Sequence, residues 1–242
     1  MFGYVARRLI PLAAIGVALI PAIGGGSAIA SATGPTHGAA QSRLGFGAFT
    51  LSNWAGYIAL GTKAEFTTVA ADWTVPAVTC LKDGDLYAPW VGIDGDGSGT
   101  VEQTGVQTSC ASGKPVESAW YEMYPKSPKY YSKPIAAGDA ITASVTEAKQ
   151  KFTLTISDTT KGWTETVTKK LKTAKEVSAE AVIEAPGGFP AISSVDFTNV
   201  LFNGQDLSSF NPVASESDTG GTTIYGPTSI SDGTNFDIVP QS

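Results

Sequence analysis

Residues Pro89 to Gly105 read Pro-Trp-Val-Gly-Ile-Asp-Gly-Asp-Gly-Ser-Gly-Thr-Val-Glu-Gln-Thr-Gly. An apolar run, a polar Gly-rich loop and a second run predict strand, turn and strand. Strand side chains alternate between faces, which puts Trp90, Gly92 and Asp94 on one side and Val91 and Ile93 on the other. Val91 and Ile93 suit a core. A Trp and an Asp sharing a face suit a cleft better than open solvent, and the loop returns the neutral amide of Gln103 close to it.

The same alternation runs outward from this stretch. Upstream, Asn53 to Ile58 and Thr67 to Val75 read as strands. Downstream, Ser118 to Pro125 places Trp120, Glu122 and Tyr124 on one face. Ile141, Ala143 and Val145 alternate with Thr142 and Ser144, and Phe152, Leu154 and Ile156 alternate with Thr153 and Thr155. Trp163 to Val167 follows, and in 178–185 Ala179, Ala181 and Ile183 oppose Glu180, Val182 and Glu184. Late strands are expected over 194–202, 222–225 and 236–239, with Asn203-Gly204 as a turn. Short alternating strands with turns every ten or so residues predict an all-β antiparallel sandwich or barrel. No long helix and no internal repeat is expected.

Composition agrees. Charged residues make up 16% of the 242, Gly numbers 27 and Pro 14, which suits a turn-rich β chain forming one large domain. The net charge of −6 argues against a nucleic-acid partner. Arg7 and Arg8 followed by the apolar run Leu9 to Ile23 predict an export signal over 1–32, with small-x-small cleavage candidates at Ala28-Ile29-Ala30 and Ala30-Ser31-Ala32. Its removal leaves 14 basic against 22 acidic residues, and no stable membrane association is expected afterwards. Residues 33–49 read as a short linker or pro-segment, and 50–242 as the folded domain. Cys80 and Cys110 are the only cysteines, and in an exported chain they are expected to form a disulfide. Ten of the thirteen lysines fall between Lys126 and Lys175, which fits a solvated outer sheet face that resists edge pairing.

His37, the only histidine, lies in the expected linker, so a Ser-His-Asp or Cys-His apparatus is excluded from the folded part. Two cysteines and one histidine do not make a structural zinc site, and neither metal nor cofactor is expected. The acid–base groups left are carboxylates. Asp94 to Gly99 has the look of a calcium loop but carries Gly105 where the closing Glu belongs, so it is read as a turn. Asp218-Thr219-Gly220 is the tripeptide of aspartic proteases, which need two such groups; within the polar run Ser215 to Asp218 it is read as a surface turn. The remaining constellation is Gln103 with Glu184, backed by Trp54, Trp90, Asp94, Trp120 and Glu122.

Six segments occur in order: Asn53-Trp54-Ala55-Gly56, Trp73-Thr74-Val75-Pro76, Trp90 to Gly95, Gln103-Thr104-Gly105, Ala119 to Glu122 with Tyr124-Pro125, and Ala179 to Glu184. In these the chain resembles the glutamic peptidases (eqolisins), pepstatin-insensitive secreted endopeptidases of fungi and some bacteria, and reads as a bacterial-type member. The resemblance implies a concanavalin- or lectin-like sandwich of two curved antiparallel sheets. It implies a catalytic dyad of Gln103 and Glu184 on the concave face, with Trp54, Trp90, Asp94, Trp120 and Glu122 lining the substrate cleft. Parity agrees independently: Asp94, Glu122 and Glu184 each oppose an apolar neighbour, Ile93, Met123 and Ile183. Departures are Met123 and Ala181, where the family often carries aromatic or bulkier residues, and a cysteine pair unlike the fungal disulfides.

The expected reaction is hydrolysis of protein or peptide substrates in acid by a secreted monomer. Glu184 activates water and Gln103 stabilises the oxyanion, with no covalent intermediate. Two alternatives use the same sandwich: a glycoside hydrolase pairing Glu122 with Glu184, which would release reducing sugar, and a lectin-like module that binds carbohydrate without turnover.

Overall fold

The computed structural model describes residues 49–50, 53–219 and 222–241. The expected leader over 1–32 and all but the last residue of the expected linker, His37 included, lie outside them. The described strands are β1 (Phe49–Thr50), β2 (Trp54–Leu60), β3 (Thr68–Thr74), β4 (Val78–Thr79), β5 (Leu86–Ile93) and β6 (Val101–Ala111). Next come β7 (Lys114–Tyr124), β8 (Lys129–Tyr130), β9 (Ala140–Ala148), β10 (Lys151–Asp158), β11 (Trp163–Lys170) and β12 (Ser178–Glu184). The last are β13 (Ala191–Ile192), β14 (Val195–Phe202), β15 (Gln205–Asp206), β16 (Val213–Thr219), β17 (Thr222–Pro227) and β18 (Phe236–Pro240), with a 3-10 turn at Leu207–Phe210.

The chain is all-β and antiparallel, apart from β1, which runs parallel to β16. Where two large sheets were expected, the hydrogen bonding forms one sheet of sixteen strands in the order β11-β10-β9-β3-β14-β18-β17-β16-β2-β12-β5-β6-β7-β8, with β1 and β15 off this path, and a separate short pair of β4 with β13. The join is β16. Residues 213–215 pair with β2, residues 217–219 pair with β17, and the register shifts between Ser217 and Asp218. An irregularity of this kind bends a strand. The two halves then fold onto each other, with β5 and β6 packing against β3, β9 and β10.

The sequence suggests a surface turn at Asp218-Thr219-Gly220, but Asp218 and Thr219 end strand β16, and Gly220 lies outside the described residues. Ser215 and Ser217 are buried, so the inward face of β16 is polar and gives no apolar alternation. Its hydroxyls are satisfied within the fold: Ser217 Oγ donates to Tyr225 O (3.3 Å) and accepts from Tyr225 N (3.1 Å), and Ser215 Oγ reaches Trp54 O at 3.4 Å. The Asn203-Gly204 turn is as expected. Both residues have positive φ (51° and 70°) and connect the paired residues Phe202 and Gln205, the backbone that a two-residue hairpin requires.

The main core lies between the halves. Val91, Ile93, Val106 and Ile183 come from one side and Val69, Trp73, Val145, Leu154, Ile156 and Phe197 from the other. Each such buried side chain is worth roughly 1.5–3 kcal/mol. Cys80 and Cys110 form the expected disulfide, with Cα atoms 5.6 Å apart, fastening the chain after β4 to the end of β6.

Candidate active site

Strands β2, β12, β5, β6 and β7 lie side by side and carry the candidate residues. Glu184 is flanked by Trp54 on β2 and Ala88 on β5. Trp90 is flanked by Val182 and Gly105, Gln103 by Gly92 and Glu122, and Trp120 pairs with Gly105. Trp54, Trp90, Trp120 and Val182 join Ile58, Leu86 and Ala88 in an apolar cluster distinct from the main core. Their chain neighbours Ala55, Val91, Ala119 and Ile183 belong to the main core. Strand alternation thus gives this half-sheet a second apolar face, studded with polar groups. Trp54 meets Trp90 edge-on, with centroids 4.9 Å apart and planes at 82°, a favoured arrangement for aromatic pairs.

Two glycines make room for Trp90. A Cβ on Gly105 would come within 2.3 Å of Pro89 O and 2.7 Å of Trp90 Cβ. One on Gly92 would come within 2.7 Å of the Trp90 ring and 3.1 Å of Gln103 Cβ. Any side chain at either position would displace the indole or the Gln103 stem.

The polar groups are few and buried. Gln103 Nε2 donates to Glu122 Oε2 at 2.7 Å. Gln103 Oε1 and Glu122 Oε1 have no hydrogen-bond partner. Glu184 Oε1 accepts from Asn53 Nδ2 at 3.0 Å. Burial pushes the Glu184 carboxyl up to about 7; the Trp54 donor opposes the rise, nearby Glu122 adds to it, and Asn53 and Trp90 oppose it. The Trp90 indole lies outside strict hydrogen-bond geometry, and its Nε1 is otherwise unpartnered. Burial likewise pushes Glu122 up to about 7, against the opposing bond from Gln103. Strand register alone sets Gln103 and Glu184 diagonally, two strands apart. Glu122 connects them, bonded to one and acting on the other through its charge.

Trp54, Trp90, Trp120, Glu122, Gln103 and Glu184 are therefore brought to one region. Asp94 is not. Its backbone has φ of 73°, so the alternation that would set it beside Trp90 ends at Ile93. Its carboxylate is buried against the chain entering β12, where Oδ1 accepts from Val177 N (2.9 Å) and Oδ2 from Lys175 N (2.6 Å) and Thr100 Oγ1 (3.2 Å). The sequence reading missed two groups. Asn53 stood only as part of a motif, with no role of its own. Glu180, on the same face as Glu184 by parity, is fully buried beneath the 94–97 loop, and a Cβ on Gly95 would meet both its Cδ and the Trp54 ring at 2.9 Å. Among the described residues no group of three or more His, Cys, Asp or Glu is arranged to hold a metal ion.

Comparison with known proteins bears on the chain as a whole. The profile of the peptidase A4 family matches residues 52–237. Aspergillopepsin-2 of Aspergillus niger is 30% identical over 213 residues, spanning 77% of this chain and 70% of that protein. The crystal structure of scytalido-glutamic peptidase with a transition state analog inhibitor superposes with a TM-score of 0.69 at 25% identity, over 80% of this chain and all of that one. SCP-B, an eqolisin solved with a tripeptide, gives 0.65 at 26% identity over the same shares. Aspergilloglutamic peptidase from Aspergillus niger gives 0.55 at 26%, over 64% of this chain and 99% of that one. The match along most of the chain, in sequence and in fold, shows that this protein belongs to the peptidase A4 family, the glutamic peptidases, and is a glutamic endopeptidase.

Proposed function

We propose that the protein is a secreted acid endopeptidase in which Gln103 and Glu184 activate a water molecule against the scissile peptide bond. The observation that carries this reading is the buried Gln103–Glu122 bond, which leaves Gln103 Oε1 unpartnered in a region where Glu122 acts on Glu184. Buried polar atoms rarely go unpaired, so this carbonyl oxygen is suited to hold a water. The Glu184 carboxylate takes that water's proton as its oxygen attacks the carbonyl carbon. The second N–H of Gln103 Nε2, the one not spent on Glu122, donates to the oxygen that becomes negative. Glu184 then returns the proton to the leaving nitrogen, and no covalent intermediate forms. Trp54, Trp90 and Trp120 supply apolar surface for the substrate chain, and the two folded halves of the sheet act as the two curved layers of a lectin-like sandwich.

Action in acid rests on the family the chain belongs to, and the shared titration of Glu122 and Glu184 sets where activity is lost as pH rises. Two close carboxyls titrate as a pair. Glu184 accepts from Asn53 and its charge is further favoured by the nearby Trp54 and Trp90 indoles, whereas Glu122 accepts only from Gln103, which supports Glu184 as the carboxylate and Glu122 as its protonated partner. The working form carries one proton, on Glu122, and is lost when rising pH removes it. Secretion is supported by the leader pattern over 1–32 and by the disulfide, which persists in oxidising compartments.

The test is a digest of denatured casein at acid pH, read by mass spectrometry, with pepstatin and with chelator. Cleavage should survive both. Glu184→Gln should lose about 10²–10⁴ in kcat, and Gln103→Ala about 10²–10³. Wild-type turnover by Glu184→Gln, or release of reducing sugar with no peptide cut, would overturn the reading.

A further inference from the structure

We infer that Asn53 is a positioning residue for Glu184, fixing which carboxylate oxygen works as the base and keeping that carboxylate charged. The inference rests on Glu184 being the base. Asn53 immediately precedes β2, where it holds Glu184 at two points. Its main-chain oxygen accepts from Ala185 N at 2.9 Å, fixing the backbone just past Glu184. Its amide nitrogen donates to Glu184 Oε1 at 3.0 Å, fixing the side chain. The pair is 131 residues apart in sequence, so the contact exists only because β2 and β12 pair with Trp54 opposite Glu184.

The chemistry follows from which atom is engaged. An amide N–H can only donate, so it stabilises the charged carboxylate and not a proton at Oε1. A donor on one oxygen directs the incoming proton to the other. Oε2 is thereby assigned to the attacking water, and Oε1 stays an acceptor through the cycle. A carboxylate held by hydrogen bonds also ionises at lower pH. Burial works against Glu184 in this respect, and the Asn53 amide offsets part of it.

The test is a pH profile of kcat and KM for Asn53→Ala and Asn53→Asp beside Glu184→Gln, with thermal melts of each variant. Asn53→Ala should lower kcat roughly 10- to 100-fold, the size of a lost hydrogen bond to a charged group. KM should stay within about twofold, because the role assigned to this amide is to hold Glu184 and not the substrate. The acid limb of the profile should move to higher pH, a change that a merely structural role would not produce. Asn53→Asp keeps shape and main-chain contact, so it guards against a folding defect. Its carboxyl donates only when protonated, so its activity relative to Asn53→Ala should rise as pH falls. An unmoved acid limb in both variants, with Glu184→Gln inactive, overturns the role of Asn53 alone. Wild-type turnover by Glu184→Gln overturns both readings.

Discussion

Glu122 lies between the two candidate catalytic groups and acts on each in a different way. To Gln103 it is a hydrogen-bond acceptor at 2.7 Å, which fixes the amide so that its other N–H and its carbonyl point elsewhere. To Glu184 it is a like charge that makes ionisation harder. Glu122→Gln separates the two effects. The new amide still offers an oxygen to Gln103 Nε2, but it never ionises. In the working form Glu122 is protonated and uncharged, as the new amide is, so the acid limb of kcat/KM, set by Glu184, should stay in place. The falling limb at higher pH, set by Glu122 losing its proton, should fade. Activity at the optimum should stay within about tenfold, since neither the base nor the oxyanion donor has been removed. A profile that keeps the falling limb in place would show that Glu122 does not titrate with Glu184.

The segment from Asp94 to Thr100 shows why an element can be legible when its end is not. Strands β5, β9, β10 and β12 could be read from alternation because each puts aliphatic residues on the core side. The same pattern placed Trp90, Glu122 and Glu184 opposite Val91, Met123 and Ile183. It misplaced Asp94, because a positive φ reverses the side chain's direction and alternation carries no sign of it. It missed β16 because that strand buries serines, and Glu180 because a buried carboxyl looks the same in sequence as an exposed one. Asp94 in place serves the elements around it. Its two oxygens take two backbone amides of 175–177, and its own N–H donates to Ser178 O at 3.0 Å, so the loop is stapled to the start of the strand that ends in Glu184. Asp94→Ala should cost about 3 kcal/mol, the range for losing charged hydrogen bonds at a buried site. Asp94→Asn should cost a similar amount, since its NH2 would face an amide donor. Urea unfolding at acid pH would measure both, and a fully stable Asn variant would argue that Asp94 is not the staple.

At the scale of the molecule, buried carboxyls make this fold prefer acid. Burial pushes Glu102 up to about 9 and Glu180 up to about 8, and neighbouring carboxylates add to both. Facing Glu102 are Asp94, Glu176 and Glu180; facing Glu180 are Asp94 and Asp96. Lys63 acts on Glu176 in the opposite sense. Both oxygens of Glu102 lack a hydrogen-bond partner, and the Thr100 hydroxyl that could favour its charge donates to Asp94 instead. Glu180 Oε1 accepts from Asp96 N at 3.3 Å, while Oε2 has no partner. The sign follows from linkage. Between the unfolded value near 4.5 and the raised folded values, the native state holds protons that the unfolded chain has released, so stability falls as pH rises. The contribution is intact below about 4.5 and lost by about 9, and for each group it amounts to a few kcal/mol in order of magnitude. Glu102→Gln combined with Glu180→Gln should match the wild type in acid, because an amide resembles a protonated carboxyl. It should then melt well above the wild type near pH 8, flattening the pH dependence. Melting curves from pH 3 to pH 9 would decide it: a double variant that loses stability with pH as steeply as the wild type would place the acid preference somewhere other than these two side chains.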